Sequence, residues 1–198
     1  MNIENIFKHI TDKDLPEFEK ELITKNFNIQ KFRKNQILVK DTDDCDSIFF
    51  IVKGAIRIYH FNNFGAEVTR AFIFENEFCT NLISFSNQAP NNENIQCLED
   101  TLTFSITRTD FYNMLSQSHV LTHLYSRILE VFINRHLQHF QFMNTLSERQ
   151  RIERFLQNSP EINLRVKDKI IATYLGVTPE FFSKIKSEIN RINKQTQF

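Results

Sequence analysis

The side chains best suited to chemistry lie near the end of the sequence, in LRVKDKIIATYLGVTPEFFSKIKSEINRI. At 100° per residue in a helix, the second half of this segment separates into a polar side and an apolar side. Carboxylate, hydroxyl and cationic groups on one side of a short helix suit the donors and acceptors that base pairs expose in the major groove. The pattern therefore predicts recognition of a polyanion. The polar side carries Glu180, Ser183, Lys184, Ser187 and Arg191, and the apolar side carries Phe181, Phe182, Ile185, Ile189 and Ile192.

The residues before this polar side predict how it is positioned. A first helix, with the small residue Ala172 in its middle, is predicted to end at Gly176, because glycine favours the left-handed turn that terminates helices. Thr178 is a suitable N-cap for the second helix, and Pro179 is tolerated at its first position. A small residue, a turn glycine four positions later and a capped second helix form a helix-turn-helix pattern. A helical hairpin that only packs in a core has the same pattern, so both interpretations remain open.

Other reactive residue types form no catalytic or metal-binding pattern. Cys45, Cys79 and Cys97 form no CxxC pair, and their odd number argues against a complete disulfide framework, so buried or idle thiols are predicted. The sequence has no HExxH motif, nucleophile elbow, phosphate-binding loop or pair of catalytic carboxylates. We therefore predict no enzymatic activity, no metal and no cofactor. Two histidine pairs have spacings that could place imidazoles on one helix face: His119 with His123, and His136 with His139.

Charge is unevenly distributed along the 198 residues, although 24 basic and 24 acidic side chains give a formal net charge of zero. Up to Asn144 the chain has 14 basic and 18 acidic residues, a net charge of −4. From Thr145 onward it has 10 basic and 6 acidic residues, a net charge of +4. This division favours a sensing or partner domain joined to a segment that meets a polyanion, with chance fluctuation as the alternative.

Short strands and turns dominate the middle of the chain. The segment KNQILVK is predicted as a strand, and SIFFIVKGAIRIYHF as two strands around Lys53–Gly54. Asn62–Gly65 predicts a hairpin turn that leads into EVTRAFIF, and a further strand pair is predicted at Asn94–Cys97 and Thr101–Ile106. Many short strands separated by turns indicate an antiparallel barrel, roll or sandwich. Before them, the apolar residues within residues 3–27 have helical spacing.

A long helix is predicted from Ser118 to about Asn144, and a capping box at Ser147–Gln150 predicts that a new helix begins after it. About 26 residues span ~39 Å, which exceeds what one small domain covers. One apolar face can pack on the β domain, whereas the other needs a second helix, most simply that of another subunit. The first stripe, predicted as the dimer interface, is Leu121, Leu124, Tyr125, Ile128, Val131 and Phe132; the second is Leu129, Ile133, Leu137 and Phe140.

In its order of parts, the sequence resembles the Crp/Fnr family of bacterial transcriptional regulators across nearly its whole length. DSIFFIVKGAIRIYHFNNFGAEVTRAFIFENEF is similar to that family's β-roll, with Gly54 and Gly65 at turn positions, and ATYLGVTPEFFSKIK is similar to its helix-turn-helix. The resemblance implies an α+β fold: an antiparallel β-roll, or jelly roll, of cyclic-nucleotide-binding type, then a long dimerisation helix and an all-α helix-turn-helix domain. The implied domains are a sensor with N-terminal helices at 1–117, the dimerisation helix at 118–144, and a DNA-binding domain at 145–198 without the family's usual wing.

The resemblance also implies which residues contact DNA. Glu180 would accept a hydrogen bond from a cytosine N4 amine, and Lys184 would donate to guanine O6 or N7. Pro179 replaces an arginine of the best-known members and cannot donate, so one base contact is lost. The implied base-reading positions are Thr178, Pro179, Glu180, Ser183 and Lys184, and the candidate phosphate contacts are Lys167, Lys169, Lys186, Ser187 and Arg191.

The sequence departs from the family at the effector site. Where cyclic AMP binders carry a Gly-Glu pair the sequence has Thr80–Asn81, and the segment that should supply a phosphate-binding arginine reads APNNEN. Burying a phosphate without a cation or a nest of amides is costly, so cyclic AMP is not expected to bind in the usual way. Candidate pocket residues, by position, are Phe78, Thr80, Asn81, Leu82, Asn91, Asn92, His136 and Leu137. No cysteine precedes Cys45, so iron–sulfur oxygen sensing is not supported.

Two functions follow as alternatives. The first is a homodimeric regulator that binds double-stranded DNA, with RNA polymerase as a further partner implied by the family resemblance. The second is a cupin-like β-barrel that binds a small molecule and whose C-terminal helices only pack. The exposure of Glu180, Ser183, Lys184 and Arg191 distinguishes them, because a packing helix buries these side chains. The sequence shows no secretion signal and no apolar run of about 18 residues, so we expect a cytoplasmic protein without a membrane partner.

Overall fold

The computed structural model describes residues 15–195, so the part of the predicted N-terminal helices before Leu15 lies outside the described residues. The elements follow one another as helix, strands with one short helix among them, and then helices. In chain order they are α1 (Glu17–Asn26), β1 (Asn28–Phe32), β2 (Ile37–Val39), β3 (Ser47–Lys53), β4 (Ile56–Phe61), β5 (Glu67–Ile73), β6 (Phe78–Cys79), α2 (Leu82–Asn87), β7 (Asn94–Cys97), β8 (Thr101–Thr107), α3 (Arg108–Ser116), α4 (His119–Thr145), α5 (Glu148–Asn158), α6 (Pro160–Arg165), α7 (Asp168–Leu175) and α8 (Pro179–Gln195).

The described chain forms two compact units. The first contains the described residues up to His60 together with Ala71–Ile133, and the second contains Phe61–Arg70 together with the described residues from Asn134 onward. The long helix α4 is therefore shared, with its first half in the first unit and its remainder in the second. None of the described helices is both long enough and apolar enough to cross a membrane.

The strands form two four-stranded sheets, with strand orders β1-β8-β3-β6 and β2-β7-β4-β5. The strand pairs β1–β8, β3–β8, β3–β6, β2–β7 and β4–β7 are antiparallel. The predicted strands are found close to their expected bounds, and Gly54, at a positive φ of 112°, lies in the turn between β3 and β4. The predicted α+β fold with an antiparallel β-roll is confirmed.

Alternating residues of β3 belong to two different apolar cores, as the two-residue period of a strand requires. Phe49 and Ile51 pack in a cluster with residues of β2, β4, β5, β6 and β7, so this core contains side chains from both sheets. All three cysteines are buried thiols, as predicted, and Cys45, Cys79 and Cys97 belong to this cluster.

The second core of this unit joins the first sheet to the helices. Ile48 and Phe50 of β3 pack in one cluster with side chains of α1, α2, α3 and the start of α4. Leu121 and Leu124 are each 2% exposed within this cluster, and Tyr125 and Ile128 are packed against it. The chain's own sheet and helices therefore cover Leu121 and Leu124, which leaves these two side chains little surface for a partner, whereas the place of Tyr125 and Ile128 in a dimer interface stays a prediction.

The second unit contains a small helical core. Helices α5, α7 and α8 pack against one another, and α6 packs against α5. The predicted capping box is present at the start of α5: the Ser147 hydroxyl accepts from the Gln150 N–H, and the Gln150 side chain accepts from the Ser147 N–H. The buried apolar side chains of this helical core are Ile152, Phe155, Val166, Ile171, Ala172, Leu175, Phe182 and Ile185.

Candidate functional site

The turn between α7 and α8 is built by local hydrogen bonds. Helix α7 ends at Gly176, which has a left-handed conformation with φ 64°, and the Gly176 N–H donates to the Ala172 carbonyl. The Thr178 hydroxyl then accepts from the Phe181 N–H at 3.2 Å, so Thr178 caps α8 as predicted. Pro179 is the first residue of α8, where its missing N–H leaves no helical bond unmade. The turn therefore presents the first residues of α8 on the surface of the second unit.

All five predicted base-reading residues are exposed. They lie at the turn and in the first two turns of α8, while Phe182 and Ile185 on the opposite side are buried in the helical core. The exposed set combines one carboxylate, one ammonium group and two hydroxyls. Its members are Thr178, Pro179, Glu180, Ser183 and Lys184.

The predicted phosphate-contacting residues differ in their availability. Lys167, Lys169, Ser187 and Arg191 are exposed. Lys186, in contrast, is only partly exposed: its Nζ lies 2.7 Å from Asp168 Oδ1 and 2.9 Å from Asn163 Oδ1. Its ammonium group therefore stabilises contacts within the second unit.

The predicted effector residues of the first unit are largely bonded to one another and to the backbone. The Asn81 side chain caps α2 by accepting from the Ser84 N–H, and its Nδ2 donates to Asn91 Oδ1 at 2.8 Å. The Asn91 Nδ2 in turn donates to the carbonyls of Lys40 and Glu93. Thr80 donates to the carbonyl of Ser47, while Asn92 is exposed. The polar groups expected to meet an effector are thus engaged by the protein itself.

A cation does approach α2, but it binds carbonyl groups. The Arg108 Nε donates to the Phe85 carbonyl at 2.6 Å, and its Nη2 donates to the carbonyls of Cys45 and Ser84. The guanidinium also lies 5.6 Å from the centre of the Phe85 ring. Arg108 therefore holds α2 to the segment before β3.

Phe78, Thr80 and Leu82 line an apolar cavity of about 60 Å³ with residues of α3 and the start of α4. This volume is smaller than the roughly 150 Å³ cavity that accommodates benzene in an engineered protein core. Burial of the Tyr125 side chain, which also lines the cavity, raises the pKa of its hydroxyl. The cavity as it stands is too small for a nucleotide.

The last two predicted effector residues, His136 and Leu137, belong to the second unit. His136 Nε2 lies 2.6 Å from Arg70 Nη1, while Leu137 is exposed. Of the other histidines, His119 and His123 are exposed, and His139 stacks on Tyr174 with ring centres 4.7 Å apart.

The second apolar stripe of α4 is exposed along the helix. Ile133, Leu137 and Phe140 are 53%, 55% and 66% exposed, and partly buried Leu129 lies one turn earlier on the same side. Val131 is 66% exposed but lies on the other side of the helix, and Phe132 is partly buried. An unpartnered apolar stripe of this length is typical of a helix that packs against another.

Comparisons with known proteins address the fold. Residues 29–118 match the family model of the cyclic nucleotide-binding domain. FixK2 from Bradyrhizobium japonicum is similar in structure, with a TM-score of 0.70 at 16% identity over 84% of this chain and 86% of that chain. The c-di-GMP responsive global regulator CLP of Xanthomonas campestris gives a TM-score of 0.74 at 12% identity over 90% and 93%. No curated protein matches the sequence.

A third structure, from Eubacterium rectale and described as a regulator of the Crp/Fnr family, gives a TM-score of 0.68 at 20% identity, covering 89% of this chain and 84% of that chain. The chain has the Crp/Fnr fold. The resemblance inferred from the β-roll and helix-turn-helix motifs is thereby confirmed. Sequence reasoning located the turn and exposed side of α8 within this Crp/Fnr fold, but it did not anticipate the carbonyl contacts of Arg108 or the ion pair of Lys186 with Asp168.

Proposed function

We propose that this protein is a homodimeric, sequence-specific DNA-binding regulator of transcription of the Crp/Fnr type. The observation that carries the proposal is the exposure of Thr178, Glu180, Ser183 and Lys184 at the start of a capped helix. A helix that only packs would bury this side, so the exposure argues against the cupin-like alternative. Short polar and cationic side chains at the N-terminal end of a second helix suit base edges in the major groove.

The roles of the exposed residues follow from their chemistry. Glu180 accepts from a cytosine N4 amine, Lys184 donates to guanine O6 or N7, and the hydroxyls of Thr178 and Ser183 bond to nearby base edges. Pro179 donates nothing and sets the start of the helix. Positions outside this set hold the duplex through phosphates and fix the register of the helix. The phosphate contacts proposed here are Lys167, Lys169, Ser187 and Arg191, without Lys186.

Dimerisation is proposed through the exposed stripe of α4, which contains Leu129, Ile133, Leu137 and Phe140. Two copies of this stripe would form a symmetric helix pair, in which each apolar side chain is covered by the partner. A symmetric dimer is also what DNA reading requires, because two recognition helices meet half-sites about 34 Å apart.

The β-roll is proposed as a sensor that does not bind cyclic AMP in the usual way. Asn81 stands where the family's Gly-Glu pair is expected and Asn91 lies in the segment expected to supply the phosphate-binding arginine; the two side chains are bonded to each other, and Arg108 is bonded to carbonyls. An uncompensated phosphate there would lose its hydration without gaining a cation. By family resemblance, RNA polymerase is the further partner and the cytoplasm is the place of action, and the protein acts without catalysis.

Selection of bound duplexes from a random pool tests the proposal directly. Wild-type protein is expected to enrich one sequence with two related half-sites, and Lys184→Ala to lose preference at a G·C pair in each half-site. That loss corresponds to about 1–3 kcal/mol of discrimination. The matched control is Lys31→Ala, which removes an exposed lysine of β1 in the first unit and should leave the enriched sequence unchanged. Failure of the wild type to enrich any sequence would contradict the proposed function.

A further inference from the structure

A pocket within the second unit has no role in the proposed reading of DNA. It is about 740 Å³ in volume and is lined by the last turns of α4, the C-terminal half of α5 and one residue of α7. Small-molecule sites in proteins have volumes of about 300–1,000 Å³ and combine apolar surface with a few polar groups. The size therefore allows a ligand as large as a nucleotide.

The charge of the pocket indicates an anion. Arg135 on α4 and Arg154 on α5 both line it, together with His139. No carboxylate is present among the described residues that line it. Two guanidinium groups from different helices suit a group with several oxygens and more than one negative charge, such as a phosphate.

The remaining lining indicates a planar ring. Phe142, Phe155 and Tyr174 supply aromatic surface, with the Tyr174 ring stacked on His139 at 4.7 Å and tilted against Phe155 at 6.0 Å. Side-chain amides, among them Gln138 and Asn158, offer donors and acceptors to ring edges and hydroxyls. Aromatic surface next to amide groups is the combination that holds a heterocycle by stacking and edge hydrogen bonds.

The position of the pocket on α4 leaves it open in the proposed dimer. Arg135, Gln138, His139 and Phe142 follow helical spacing on one side of α4. At 100° per residue this side is roughly opposite the stripe centred on Ile133 and Leu137. A partner helix on the stripe therefore does not cover this side of α4.

We propose that this pocket binds a small phosphate-bearing ligand with a planar ring, the class of the nucleoside monophosphates. The phosphate lies between Arg135 and Arg154, and the ring lies on the aromatic surface beside Tyr174. A ligand there contacts α4, α5 and α7 at once, so it stabilises their arrangement within the second unit. The inference does not depend on DNA binding, because the pocket and the exposed side of α8 share no residue.

Calorimetric titration of the full-length protein with AMP, in the absence of DNA, tests the proposal. We expect saturable binding of one AMP per chain, with adenosine and inorganic phosphate each bound at least tenfold more weakly. Arg154→Gln and Asn158→Asp, which remove a cation and add an anion at exposed positions, should each weaken AMP binding at least tenfold. The control Arg127→Gln, at an exposed arginine of α4 outside the pocket, should bind AMP as the wild type does.

Three results would overturn the proposal while leaving the proposed function standing. The first is the absence of saturable AMP binding by protein that is folded by circular dichroism. The second is AMP binding that Arg154→Gln leaves unchanged, which would assign the nucleotide to another site such as the β-roll. The third is a loss of duplex affinity in Arg154→Gln without any AMP binding, which would assign this arginine to the DNA backbone.

Discussion

At the scale of single residues, Gly54 shows how close packing restricts side-chain choice. A Cβ at this position would lie 2.5 Å from the Thr101 hydroxyl oxygen and 2.8 Å from the Thr101 Cα, and the backbone φ of 112° is one that L-residues rarely adopt. The Gly54 N–H also donates to a Glu75 carboxylate oxygen at 2.8 Å. The turn between β3 and β4 thus requires both the missing side chain and the unusual backbone.

We predict that Gly54→Ala lowers the free energy of unfolding by about 2–4 kcal/mol, from backbone strain and overlap with Thr101. The control is Gly65→Ala, where the added methyl group meets no atom within 4 Å. It should cost only about 1 kcal/mol for the left-handed backbone. Urea unfolding monitored by circular dichroism measures both values, and equal losses would contradict the role given to Thr101.

His139 is the residue whose environment makes stability depend on pH. Burial lowers its pKa, and the neighbouring charges of His136, Arg135 and Arg70 lower it further. The unfolded chain, where a histidine has a pKa near 6.5, therefore binds a proton at a higher pH than the folded chain does. The neutral imidazole of His139 therefore contributes fully to the free energy of unfolding above about pH 6.5. That free energy falls as the pH falls below this value, because the unfolded chain then binds the proton first.

We therefore predict that wild-type protein loses unfolding free energy between pH 7.5 and pH 5.5, and that His139→Gln loses less over the same interval. His123→Gln, at an exposed position near the start of α4, should keep the wild-type dependence. Urea titrations at the two pH values provide the comparison. An unchanged pH dependence in His139→Gln would mean that other groups carry it.

At the scale of elements, the start of α5 illustrates how a local motif separates two helices. The Ser147 hydroxyl and the Gln150 side chain satisfy each other's backbone N–H groups, and the Arg151 Nη1 donates to the Met143 carbonyl near the end of α4. Cations near the last carbonyls of a helix stabilise its end. The boundary between α4 and α5 is thus defined from both directions.

Loss of the cap should be measurable. Ser147→Ala is expected to lower the free energy of unfolding by about 1 kcal/mol, because the Gln150 N–H at the helix start loses the hydroxyl that accepts its hydrogen bond. Ser126→Ala is the matched control, since its hydroxyl only donates back to the Thr122 carbonyl in the middle of α4. Thermal unfolding of both variants measures the two losses of stability. Equal losses would show that the Ser147 cap does not stabilise the protein.

Local chemistry explains why some elements were predictable from sequence. The capping box at Ser147, the turn at Gly176 and the cap at Thr178 each join residues within five positions of one another. The local sequence is therefore enough to predict them. Arg108, in contrast, binds carbonyls 23, 24 and 63 residues away, and the sequence carries no local sign of these partners. The Lys186 ion pair with Asp168 was missed for the same reason.

The two apolar stripes of α4 could be predicted from the sequence only in part. Their spacing shows two apolar sides, but it does not show which side the β-roll covers. The structure resolves this, because Leu121 and Leu124 are buried in the first unit whereas Ile133 and Leu137 are exposed. Burial in a tertiary core, which is not a property of the helix alone, decides which residues remain for a partner.

At the scale of the whole molecule, the proposed reading of DNA depends on the proposed self-association through the exposed stripe. Leu137→Glu would place a carboxylate in an apolar helix pair, at a cost of about 3 kcal/mol or more. We predict at least a hundredfold weaker dimerisation and a matching loss of duplex affinity. Analytical ultracentrifugation over a concentration series measures the dimer.

Val131→Glu serves as the control for this prediction. Val131 has an exposure similar to that of Leu137 but lies on the other side of α4, so its variant should dimerise as the wild type does. A monomeric wild type at micromolar concentration, or equal weakening by both substitutions, would show that the stripe is not the interface.

The ion pair between Lys186 and Asp168 has a consequence for the salt dependence of the proposed DNA binding. A lysine whose ammonium group is held by a carboxylate of the same chain, and which therefore contacts no phosphate, displaces no sodium or potassium from the duplex. The slope of log affinity against log salt concentration becomes steeper by about 0.9 for each phosphate that the protein neutralises. The number of basic residues in the C-terminal segment therefore overstates that slope. The proposed complexes with DNA should tolerate salt better than the number of lysines and arginines suggests.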